Sequence, residues 1–379
     1  MLRACCDTVC SRVLEKLLDF CSSENLRTLL RQAVPLVPRL LGDRCGSHVL
    51  QALLVKAAGL VELDDEPDAA SLGAMEEGVY TAVPGEATTP ITVIDYVARE
   101  LQEHVGEYAV STYGSHVLRA VIALLAGLPL PPAMRSKASR AYRSSWNKPE
   151  NPNKPKPTPK NVPNSFTTML ANIATGIKGD PQFANHLVHP TASPVVQSML
   201  AALAARTPEL AGEFCALILP VDGDADQGPT ELQELITKQI GSHVIEKVIE
   251  VAPSDLFFEI YTAHFRGKLQ ELSLHPYANF VVAKLLASVH SREHAGIMLD
   301  ELIARIEDLF ASNRAGVVVK MAEAAAKFGI RQKEMVAALA GSFHIGTSDE
   351  WGNSVRMFLT MAVADVFKAN QSAAAAEGG

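Results

Sequence analysis

The tetrapeptide Gly-Ser-His-Val occurs three times, as GSHVLQALL from Gly46, GSHVLRAVI from Gly114 and GSHVIEKVI from Gly241. A recurring phrase constrains a fold more than bulk properties do, because it makes the chain a set of copies of one unit. Aligned on the residue after the glycine, looser copies appear. VCSRVLEKLLDF places Ser11 in register, HPTASPVVQSML Ser193, HPYANFVVAKLL Asn279, NRAGVVVKMAEA Gly316 and EWGNSVRMFLTM Asn353. The aligned positions are 11, 47, 115, 193, 242, 279, 316 and 353, with a first step of 36 residues and last three steps of 37. Equal steps of that size are the mark of a helical solenoid.

Between these phrases the apolar residues recur at three- and four-residue intervals, as in LRTLLRQAVPLVPRLL and HAGIMLDELIARIEDLF, and no alternating strand pattern stands out. Aromatic residues make up only 6%, which favours helices packed through small and aliphatic side chains. A unit of 37 residues has room for two long helices and a short one, and cannot bury its apolar face alone. The expected fold is all-α, a right-handed stack of three-helix repeats forming a single domain over residues 1–379, with at least eight repeats visible.

The long steps have visible causes. An acidic insertion lies near residues 62–92, and its first part, ELDDEPDAASLGAMEEG, holds seven acids and no base. A basic, proline-rich insertion lies near 135–163, with six prolines between Lys148 and Pro163, a density that prevents helix. PVDGDADQGPTE lengthens the step to 242. The copy at Ser11 lacks a full preceding helix, as expected of a piece of a longer chain.

Each phrase offers three polar positions on one helical face, because residues four apart lie one turn above another. The trios are Ser11-Arg12-Glu15, Ser47-His48-Gln51, Ser115-His116-Arg119, Ser193-Pro194-Gln197, Ser242-His243-Glu246 and Asn279-Phe280-Ala283. The middle position is mostly planar, and the last changes between Glu, Gln and Arg while the scaffold around it stays. A planar group can stack on an unpaired base, worth about 1–3 kcal/mol, and the flanking groups can reach its hydrogen-bonding edge. The plainer reading is an N-cap serine and a structural histidine.

The trios resemble the base-reading positions of Pumilio-type RNA-binding repeats, and RCGSHVLQALL, YGSHVLRAVIALLAG, LQELSLHPYANFVVAKLL and the insertions are similar to the nucleolar protein nine branch of that family. The resemblance implies a curved superhelix that binds single-stranded or partly structured pre-ribosomal RNA. It implies a nucleolar or nuclear monomer, working with pre-ribosomal particle proteins in small-subunit (18S) RNA maturation and restraining premature cleavage. It also implies guanine opposite Glu15 and Glu246, adenine opposite Gln51 and Gln197, and cytosine opposite Arg119. No trio here has the Asn-Tyr-x-x-Gln form that would read uracil, and Pro194 cannot stack in the usual way.

Two other classes stay open: an mRNA-binding translational repressor of the Pumilio type, and a protein-binding armadillo- or HEAT-like scaffold. The net charge of −8 fits the scaffold better. No phosphate-binding glycine loop, nucleophile elbow or metal-ligand spacing occurs among the motifs, so neither an enzyme, a cofactor nor a metal is expected. The six cysteines form no CxxC pair and are expected as free thiols. The most apolar stretch, from Val117 to Met134, contains Arg119 and several prolines, so no membrane partner is expected.

Overall fold

The computed structural model describes residues 1–61, 90–130, 159–221 and 232–343, and among them every regular element is a helix. The eighth aligned position, Asn353, lies outside these residues, as do most of the two long insertions. No helix of the described residues is long and apolar enough to cross a membrane. By internal packing the chain divides into two compact units, Met1–Phe214 and Cys215–Gly379.

The first unit opens with the helices Leu2–Cys6 and Cys10–Leu17, then repeats one plan three times. A long helix (Ser23–Ala33, Pro90–Glu103, Asn164–Gly179) leads through a short one (Val37–Gly42, Val105–Val110, Phe183–Val188) to a second long helix (Gly46–Ala58, Gly114–Leu125, Ser193–Arg206). The helix Pro90–Glu103 begins inside the stretch assigned to the acidic insertion, and Lys160, near the end of the basic one, donates its backbone N–H to the carbonyl of Gly127 at 2.9 Å. In the second unit the final helices of the same plan are Gln239–Val251, Ala278–Ser288 and Ala315–Phe328.

These final helices, called ladder helices below, pack side by side. In the first unit Cys10–Leu17, Gly46–Ala58, Gly114–Leu125 and Ser193–Arg206 follow one another; in the second, Gln239–Val251, Ala278–Ser288 and Ala315–Phe328 do. Their seam is a valine two residues after each aligned position. Val49, Val117, Val195, Val244, Val281 and Val318 are all buried, whereas the equivalent Val13, on the first ladder helix, is 50% exposed. One residue further on, Leu50, Leu118, Val196, Ile245 and Val282 are buried, and Val319 on the last ladder helix is 42% exposed. Full burial of one such side chain is worth roughly 1.5–3 kcal/mol.

In five of the seven ladder helices a side chain four residues before the aligned position caps the start. Asp7 Oδ1 accepts from the N–H groups of Val9 and Cys10 at 2.9 and 2.8 Å, and Asp43 Oδ1 from those of Cys45 and Gly46 at 2.8 and 2.7 Å. Ser111 Oγ accepts from Gly114 N at 3.0 Å. His189 and His275 do the same with Nδ1, accepting from Thr191 and Ala192 and from Tyr277 and Ala278 at 3.2–3.4 Å. Capping satisfies donors that an α-helix leaves unpaired at its N-terminus.

Candidate nucleic-acid interface

Because the ladder helices lie side by side and in register, their trios form rungs. In six of the seven described rungs the first member is buried: Ser11, Ser47, Ser115, Ser193, Ser242 and Asn279. They are not N-caps, since each lies within its helix. Ser47 Oγ donates to the carbonyl of Arg44 at 3.2 Å and Ser242 Oγ to that of Gln239 at 3.0 Å, the local bonds that a serine in a first helical turn makes. Asn279 Nδ2 donates to the carbonyls of His275 and Pro276, each at 2.8 Å. Solvent therefore meets mainly the second and third members.

In the first unit Arg12 and His48 are exposed, while Glu15, His116, Arg119, Pro194 and Gln197 are partly exposed. His116 is held below the usual histidine range by its burial first, then by the Arg119 guanidinium and by His48. That coupling places the side chains of two successive rungs beside one another and keeps the His116 ring neutral at pH 7. Arg119 Nε reaches across to Ser198 Oγ on the next ladder helix at 3.4 Å, so the rungs are cross-linked as well as aligned. Gln197 Nε2 donates to Ser193 Oγ at 3.0 Å.

Gln51 departs from this pattern. It is 5% exposed, and its Nε2 is buried with no hydrogen-bond partner among the described residues. An orphaned buried donor costs on the order of 1–3 kcal/mol. The remaining described rungs lie in the second unit. There His243 Nδ1 sits 3.1 Å from Glu246 Oε1, Phe280 presents its ring at 53% exposure, and Gly316 and Val317 offer no polar group in the last rung.

Sequence reasoning missed two features. The capping residue four positions upstream was hidden because Asp, Ser and His perform one task with three different side chains. Lysines next to the rungs were also passed over: Lys247 and Lys284 both contact Glu250 Oε2, at 3.0 and 3.3 Å, which leaves one net positive charge beside the rungs. A lysine in the position after the third rung member (Lys16, Lys247 and Lys284) was the available signal.

The rungs of the first unit thus bring together a neutral half-buried imidazole and a guanidinium above a buried amide donor, and those of the second carry an exposed phenyl ring. Such a set can stack on planar groups and donate to or accept from their edges. Comparison with known proteins agrees with the architecture. The chain matches the family described as NOP9-like PUF repeat domain over residues 2–378. It is 27% identical over 350 residues to Pumilio homolog 23 of Arabidopsis thaliana, covering 89% of this chain and 43% of the relative. It is 28% identical over 341 residues to Nucleolar protein 9 of Mus musculus, covering 88% and 51%. The chain therefore spans about half the length of these curated relatives. Among solved structures, "Structure of APUM23-GGAAUUGACGG" matches with a TM-score of 0.65 at 23% identity, covering 91% of this chain and 59% of that one. "Puf3 RNA binding domain bound to Cox17 RNA 3' UTR recognition sequence site B" matches at 0.55 and 16%, covering 89% and 76%. The chain belongs to the family of NOP9-like PUF repeat domains.

Proposed function

We propose that this chain binds single-stranded RNA along its ladder helices, with the rung side chains meeting the bases. The observation that carries the reading is the meeting of His48, His116 and Arg119 from two adjacent ladder helices, beside an orphaned amide donor at Gln51. A neutral ring stacks on a base without repelling a neighbouring guanidinium. Gln51 costs stability where it stands, and a base acceptor would satisfy it.

The RNA in this proposal is precursor ribosomal RNA near the 3′ end of the small-subunit RNA. The bound protein delays cleavage there, in the nucleolus and among pre-ribosomal proteins. Support comes from family membership, from relatives named Nucleolar protein 9, and from the oligonucleotide named with the solved APUM23 chain. Rungs built on Glu15, Gln51, Arg119, Gln197 and Glu246 are assigned guanine, adenine, cytosine, adenine and guanine.

A titration across a salt series tests this with three RNAs: a pre-ribosomal segment spanning that 3′ end, a UGUA-containing RNA and a scrambled control. Preference for the first supports the proposal, and preference for the second moves the chain to the mRNA-binding class. Absence of binding to all three at moderate salt overturns it in favour of an acidic protein scaffold. Reversing the charge of Arg119 together with replacing His116 is expected to weaken RNA binding with helicity retained, read by circular dichroism.

A further inference from the structure

The first unit carries a groove of about 770 Å³ away from the rungs. It is walled by the ends of the helices Pro90–Glu103 and Asn164–Gly179 and by the short helices Val105–Val110 and Phe183–Val188. Its charged lining is Glu103, Glu107 and Asp180, and no lysine or arginine lines it. The acidic character is built in at close quarters. A Cβ added at Gly106 would overlap Asp180 Oδ2, so only glycine at 106 admits the carboxylate where it stands. Asp180 Oδ1 is held by the Gln182 N–H at 2.7 Å.

An independent feature is His186. It lines the groove, is 3% exposed, and makes no hydrogen bond from its ring to any described residue. Burial first, and then His189, hold it below the usual histidine range against the opposing pull of Asp180, so it is neutral at pH 7 and keeps one imine nitrogen as an acceptor. His189 has already spent its Nδ1 on the cap of its ladder helix. His189 Nε2 is then an N–H and a donor, so the acceptors that line the groove are the carboxylates of Glu103, Glu107 and Asp180 and one ring nitrogen of His186.

Three carboxylates with no lysine or arginine in the lining, in a groove within the size range of small-ligand sites, favour a cationic donor. The guanidinium has five donors and no acceptor, and its fork matches a carboxylate. We infer that this groove docks an arginine-bearing segment of a protein partner. RNA fits it poorly, since a phosphate would meet three carboxylates and no base. The inference does not depend on the RNA-binding reading, because no groove residue belongs to a rung.

The test uses the full chain and a fluorescein-labelled ten-residue Gly/Ser peptide with three arginines, followed by fluorescence anisotropy. The control peptide carries citrulline in their place. The double variant Glu107→Gln/Asp180→Asn, whose asparagine can still accept from Gln182, is expected to weaken binding about tenfold (~1.4 kcal/mol). Glu213→Gln, an exposed acid of the same unit outside the groove, is expected to leave binding unchanged, and the citrulline peptide to bind far more weakly. If the double variant is poorly folded by circular dichroism, Glu107→Gln alone is the test, with a smaller loss expected. Equal binding to the groove variant, an equal loss from Glu213→Gln, equal binding of the citrulline peptide, or displacement of the peptide by oligouridine would each overturn the inference.

Discussion

Gln51 holds a buried amide nitrogen that no described residue accepts from, and the chain tolerates that cost in the middle of a ladder helix. Replacing it with leucine removes the orphan while keeping the side chain's bulk. Gln51→Leu is therefore expected to raise the urea midpoint by the equivalent of ~1 kcal/mol and to lower RNA affinity in the same protein. Loss of stability in that variant would mean that the amide has a packing role. His116 gives a second prediction at this scale. Its folded pKa lies below the ordinary histidine value of about 6.5, so the unfolded chain binds the proton first. The stability this represents is present above about pH 6.5, is lost as pH falls below it, and levels off beneath the lowered folded value. Urea midpoints at pH 7.5 and 5.5 are expected to drop less for His116→Gln than for the parent chain. Neither property was legible in the sequence. Gln51 and His116 were picked out by their spacing, but spacing says nothing of burial depth or of which charges converge from the next helix.

At the scale of the helix, each ladder element depends on how it begins. Asp43 accepts from two backbone N–H groups at 2.8 and 2.7 Å, so Asp43→Ala is expected to cost ~1 kcal/mol in chemical denaturation, with Asp43→Asn close to neutral. The glycine of the repeated phrase has a separate cause. A Cβ at Gly241 would stand 2.5 Å from the carbonyl oxygen of Leu235 and 2.8 Å from its Cα, where the obstacle is backbone that cannot swing aside. Gly241→Ala is expected to cost ~1–3 kcal/mol, measured by the same denaturation. The helices themselves were legible, because a 3.6-residue period of Leu, Val and Ala admits little else. The caps were not, since three chemically different residues do the same work, and the N-cap role considered for the rung serines belongs, at Ser11, Ser47, Ser115 and Ser193, to residues four positions earlier.

Along the ladder helices of the first unit, burial reports on neighbours. Val13 and Leu17 are 50% and 56% exposed, whereas the equivalent Val49 and Leu53, one repeat later, are at 2% and 1%. In a solenoid each repeat is held by its own packing and by the repeats it touches. The amides of Cys10–Leu17 are therefore expected to exchange with deuterium faster than those of Gly46–Ala58 by roughly tenfold or more. Comparable protection of the two helices would show that the first helix is held by something besides its ladder neighbour. The net charge of −8 also acts at this scale. It makes any RNA binding depend on local groups more than on a general positive field, so the salt dependence is expected to be shallow for the number of bases contacted.

The all-α class, the repeat step and the register of the rungs are dictated locally. Helical periodicity, glycine at a crowded turn and a constant spacing are properties of short stretches that every copy repeats. Which side chains of a rung meet solvent, which of them electrostatically sense the next rung, and where an acidic groove opens follow from packing between segments tens of residues apart. Ser47 and Gln51 read as surface residues in the sequence, yet both are buried once the flanking ladder helices are in place. Glu103, Glu107, Asp180 and His186 give no signal as a motif, because packing between the two stretches, with Gly106 against Asp180 and Gly176 against Val105, brings them to one groove.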